Sequence, residues 1–198
     1  MNPLGKEQST VFETLEKGNF IVPPGGDPGD TDKPLLRSAL TFMLPGFVLA
    51  ALLPGAFGGM ELPAFIGALL IAVGAGKLMG GCHWFRGGVV CAVLQTLALA
   101  LVLVAQTSVP MLLESPIYTT ASISATVLCA VTAALLTIGF WKSRRKYTKP
   151  MCMLTASVLV SSILSVFFPY YFLLRLLSVI PGVSALVWLL LLARQEAV

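Results

Sequence analysis

Any chemistry in this chain would have to start from its ionisable and nucleophilic side chains, and these are few. The single histidine, His83, stands beside Cys82 in the stretch GGCHWFRGG. A Cys-His pair can begin a metal site, but no second cluster with ligand spacing follows it, and only Cys152 is expected to start on the same membrane face. Cys91 and Cys129 complete the cysteines, and none of the four forms a C-x-x-C pair, which argues against quinone-linked thiol oxidation. One exposed histidine with no acid at matching depth builds no Ser-His-Asp or Cys-His relay. We therefore expect a non-enzyme with no catalytic residue, no metal ligand and no cofactor.

The charged residues say more. Of nine acidic residues, Glu7, Glu13, Glu16, Asp27, Asp30 and Asp32 crowd the leader, Glu61 and Glu114 lie in turns, and Glu196 is in the tail. The apolar runs contain no Asp or Glu. Proton-driven carriers usually place an acid within the membrane, so this pattern weighs against a proton-coupled pump. Two cations sit near the ends of apolar runs. Lys77 is placed to snorkel to headgroups. Arg175 has three readings: an ion pair with Glu61 or Glu114 at the outer surface, a contact with lipid phosphate, or an anion site. The run KSRRKYTK supplies Lys142, Arg144, Arg145, Lys146 and Lys149 as candidate lipid-headgroup contacts. Its shortness and its position at a membrane argue against nucleic acid as a partner.

What must position these residues is a set of apolar helices. Hydrophobic residues make up 57% of the 198 and charged residues only 11%, against roughly 25% charged in soluble domains. The class is an all-α, polytopic integral membrane protein, with the bilayer as its first partner. Six spans are expected at about 37–56, 62–80, 87–108, 117–141, 150–169 and 172–193, each long enough to cross ~30 Å of hydrocarbon as a helix. They form one domain over 35–194. Residues 1–34 are expected to be a largely disordered cytoplasmic leader without a cleavable signal, and 195–198 a cytoplasmic tail. Lys33, Arg37, Lys77, Arg86, the KSRRKYTK cluster and Arg194 fall on one side, which the positive-inside rule makes cytoplasmic. Both termini are then inside. Trp84, Trp141 and Trp188 fall near the inner interface, and Tyr118, Tyr170 and Tyr171 near the outer one.

The spans also repeat. An outer turn is expected to begin at Pro54, with Gly67 thirteen residues on, and another at Pro169, with Gly182 thirteen residues on. Pro110 marks a middle turn, with Ser124 fourteen residues later. Small residues at such points let membrane helices approach closely. The favoured reading is three parallel helical hairpins. Ser157, Ser161 and Ser165, spaced by four, form one helix stripe, read as a packing seam in preference to a pore lining. The remaining polar core residues are expected to bond between helices.

The phrases LPAFIGALLIAVGAGKLMGG, FRGGVVCAVLQTLALALVLV and FFPYYFLLRLLSVIPGVSALVWLLLLAR resemble the HdeD-type acid-resistance membrane proteins over residues 37–194. The resemblance implies six spans in three hairpin repeats, a bacterial inner membrane and a role in acid stress for some members. The leader has no counterpart in that pattern. The leading expectation is thus a non-enzymatic membrane protein for envelope stress tolerance, or an accessory subunit in a homo-oligomer or membrane complex. The alternatives are a small transporter or substrate-capture subunit, and a vesicle-traffic membrane protein, whose families share the final ALVW texture.

Overall fold

The computed structural model describes residues 32–57, 61–80, 82–108, 116–143, 145–168 and 170–195. The leader to residue 31 and the tail from 196 lie outside them. The chain divides at Pro34, and the unit from Leu35 onward carries the helices. Among the described residues there are only helices and turns. They are α1 (Asp32–Phe47), a π-helical segment (Val48–Leu52), α2 (Leu53–Phe57), α3 (Glu61–Lys77), α4 (His83–Ser108), α5 (Pro116–Ser143), α6 (Arg145–Phe167) and α7 (Phe172–Gln195).

Five stretches are long and apolar enough to cross a membrane: Leu35–Leu52, His83–Thr107, Pro116–Ser143, Arg145–Phe167 and Phe172–Gln195. The second expected span is shorter than the rest. Its helix, α3, has 17 residues, about 26 Å at 1.5 Å per residue. It closes into a turn through Leu78 N–H to the Ala75 carbonyl at 2.9 Å and Met79 N–H to the Gly76 carbonyl at 3.2 Å.

Three expected boundaries move, each for a local reason. The outer turn does not begin at Pro54, which lies inside α2; the chain stays helical to Phe57. Pro54 lacks an N–H and its ring crowds the carbonyl four residues back. The helix widens just before it, with Leu53 N–H bonding the Val48 carbonyl five residues back. The KSRRKYTK run is helical rather than a loop: α5 continues through Ser143 and α6 starts at Arg145, with only residue 144 undescribed between them. Pro150, expected at the start of a span, is the sixth residue of α6, where its missing N–H leaves the Lys146 carbonyl without its usual helix bond. Pro116 is the first residue of α5, where its missing N–H costs nothing. Pro110 and Pro169 lie outside the described residues.

Each helix packs on its sequence neighbours. The α1–α3 contact is backbone on backbone. A methyl on Gly67 would lie 2.6 Å from the Gly46 carbonyl oxygen and collide with the Ala50 amide, and one on Gly74 would lie 2.7 Å from the Ala39 carbonyl oxygen. The α4–α5 contact uses larger side chains, met in opposite order along the two helices. Phe85 meets Gly139, Gly88 meets Leu136, and near the far end Gln106 Nε2 donates to the Tyr118 hydroxyl at 3.0 Å. The main core runs along α1, α5, α6 and α7 through Leu40, Met43, Phe47, Leu136, Met151, Leu154 and Leu189. A smaller cluster, Ala64, Ala68, Leu99 and Ala125, joins α3 to α4 and α5.

Candidate functional site

α2, the middle of α6 and the first turn of α7 converge on a polar knot. Arg175 lies one turn into α7 and is only 7% exposed. Its guanidinium is turned into the protein rather than out to lipid, and Nη2 donates to the Pro54 carbonyl at 3.0 Å. The widened helix before Pro54 therefore has its C-terminal end held by a cation from α7. Beneath it, Ser157 Oγ donates to the Ser178 carbonyl at 2.6 Å, and Ser178 Oγ donates to the Arg175 carbonyl at 2.7 Å. Gly182 sits where a methyl would lie 2.7 Å from both Ser157 Oγ and a Leu52 methyl. Arg175 thus ties α7 to α2, with Ser157 and Gly182 sealing α7 onto α6. Glu61, the first residue of α3, is half-buried. Glu114 lies outside the described residues.

The serine stripe faces protein. Ser157 and Ser161 are 3% and 2% exposed, and Ser165 is half-buried. Most core hydroxyls were expected to bond between helices, and here the structure differs. Thr96, Thr126 and Ser165 bond the carbonyl four residues back in their own helix. In apolar surroundings that carbonyl is the nearest acceptor at no cost in register. The interhelical exceptions are the Ser157 bond from α6 to α7 and a group between α5 and α6: the Thr137 and Thr155 hydroxyls lie 2.7 Å apart, and Thr155 Oγ1 also donates to the Ala133 carbonyl at 3.2 Å.

The middle of the α4–α5 seam carries a second polar group. Gln95, 1% exposed, has its amide within hydrogen-bond reach of the buried Cys129 thiol. Gln95 Oε1 and Thr132 Oγ1 are buried and have no hydrogen-bond partner among the described residues. Gln95 and Thr132 belong to the polar core residues expected to bond between helices, and for Gln95 Oε1 and Thr132 Oγ1 no such bond is present among the described residues. Their place on α4 and α5 was legible, but their burial against each other's helices was not.

At the opposite rim, Lys77 does not reach for headgroups. Its Nζ donates to Ser38 Oγ and sits 4.2 Å above the Phe42 ring, both on α1. Lys142 lies 5.2 Å over the Trp84 ring, and the His83 ring is 4.9 Å from that same ring. Lys142, Arg145, Lys146 and Lys149 are exposed; Arg144 lies outside the described residues. His83 is exposed and Cys82 half-buried. Among the described residues no group of three or more His, Cys, Asp or Glu comes together.

One cavity stands out, a groove of about 450 Å³ between α5 and α6. It is lined by apolar side chains such as Ile123, Val127, Leu159 and Phe167, and it opens to the side of the helices. Its lining offers no means of fixing a polar ligand. No family model, curated protein or solved structure matches this chain.

Proposed function

We propose that the chain is a non-enzymatic, multi-pass membrane protein of HdeD type that supports envelope or acid-stress tolerance in a bacterial inner membrane, alone or as an accessory subunit. Its helices form three hairpins, α1–α3, α4–α5 and α6–α7, with both termini on the cytoplasmic side. The observation that carries this reading is the sealed seam of α6, α7 and α2. Arg175, Ser157 and Ser178, the residues best placed to line a polar path from the outer rim, bond to neighbouring helices. Apolar helices and the family resemblance support the rest. In this reading α3 spans with its ends drawn in, which costs only fractions of a kcal/mol per Å of mismatch.

The experiment is deletion in the encoding organism. The expected result is lost survival at low pH with nutrient uptake unchanged. Unimpaired acid survival would reject the role. Cysteine labelling at Lys146 and Tyr170 in intact cells tests the orientation separately: Tyr170 should label from outside and Lys146 should not.

A second reading, a small transporter or substrate-capture subunit, is favoured by one feature. The first helix is interrupted at membrane depth by the π segment Val48–Leu52, and interrupted helices often mark substrate paths. Uptake of a solute lost on deletion would select it.

A further inference from the structure

We propose that the rim formed by the starts of α4 and α6 and the end of α5 is a binding site for anionic phospholipid headgroups. The proposal rests on the chain lying in a membrane, but neither on which side this rim faces nor on any stress role.

The three helix ends are locked together from below. Phe85 stands edge-on to Phe140 with ring centres 5.3 Å apart, and Phe140 lies 5.9 Å from Tyr147, which is 1% exposed. Tyr147, Pro150 and Met151 turn the inner face of α6's first turns into the core. Arg145, Lys146 and Lys149, spaced three and four apart, occupy the other face and are exposed. Lys142 on α5 and Arg86 on α4 extend the patch across all three helices. Lys142 lies on α5 and Arg145, Lys146 and Lys149 lie on α6, so these cations are presented by helices.

Among the described residues, no anion stands in the helix starts that carry this surface. Neither α4 nor α6 has an acidic residue in its first turn. A helix start carries a partial positive charge and favours acidic neighbours, so cations there are electrostatically unsatisfied. Trp84 Nε1 and Thr148 Oγ1, on half-buried residues in the first turns of α4 and α6, have no hydrogen-bond partner among the described residues. Clustered cations beside N–H and O–H donors call for phosphate oxygens. The rim's level decides whose phosphate. It flanks the ends of the apolar helices beside Trp84 and the 60%-exposed Trp141, where indoles mark the headgroup layer.

The test uses the full chain in nanodiscs of phosphatidylcholine with graded phosphatidylglycerol, followed by detergent extraction and native mass spectrometry of the retained lipid. Wild type should retain phosphatidylglycerol selectively, and added salt should weaken that retention. K146Q/K149Q should reduce it on the order of tenfold, given the attraction of each lysine near an anionic surface. Trp84→Phe keeps the ring and removes the donor, and should give a smaller loss at unchanged helical content. Equal retention of both lipids would overturn the proposal. So would unchanged selectivity in both variants, or displacement of the lipid by millimolar glycerophosphate, which would assign the rim to a soluble phosphate.

Discussion

The α1–α3 and α4–α5 pairs solve the same problem in opposite ways. Both must join apolar helices in surroundings that give no hydrophobic reward for doing so. In the first pair the backbones touch: Gly67 and Gly74 of α3 leave room for Ala39, Met43 and Ala50, and Gly46 of α1 leaves room for Ile71 of α3. In the second, the helices are longer and stand off on side chains such as Phe85, Leu136 and Gln106. The difference follows from helix quality. α1 runs into a π segment and Pro54, so it presents an irregular backbone that only a glycine-faced partner can follow. α4 and α5 are unbroken and can be spaced by ordinary rotamers. The first pair is also the one needing an outside clamp, which Arg175 supplies.

The largest expected effect breaks this contrast at its centre. Gly67→Ala should lower thermal stability in detergent by about 3 kcal/mol, because the methyl meets backbone that cannot rotate away; a small change would show that the helices do not touch there. Next, Arg175→Ala should cost about 2 kcal/mol by removing a charge-assisted bond to a buried carbonyl. If that variant melts like the parent yet loses binding of a small anion, Arg175 is a ligand residue and not a clamp. Ser157→Ala is expected to cost only about 0.6 kcal/mol, the usual worth of an interhelical hydroxyl bond. The smallest effect sharpens the comparison within one helix. A methyl on Gly76 meets nothing within 4 Å, so Gly76→Ala should be neutral or gain about 0.4 kcal/mol from reduced unfolded-chain freedom.

Some of the site was visible before any coordinates. Gly67 and Gly182, each thirteen residues past a proline, were singled out as close-approach points, and both are too crowded for a methyl. The middle unit does not follow suit. Ser124 is merely half-buried, and the tight contacts there fall at Gly88 and Gly139. Gly67 and Gly74 sit seven apart on one helix face, a readable signal of close approach, and Gly46 meets that face from α1. Arg175 was expected near the surface; a carbonyl turned inward at a proline is not something a hydropathy pattern can announce.

The chain's own composition and order determined the all-helical class, with five helices long and apolar enough to cross a membrane, and the placement of cations at helix ends, because these depend on transfer from water and on local backbone bonding. Only the tertiary structure decided where Pro54 is absorbed, which acceptor Arg175 finds, that Lys77 turns to α1, and that Lys142, Arg145, Lys146 and Lys149 stand exposed on helices. Each of these depends on which backbone or ring lies across the interface. Such pairings join residues as far apart as Pro54 and Arg175, and no window along the sequence contains both partners.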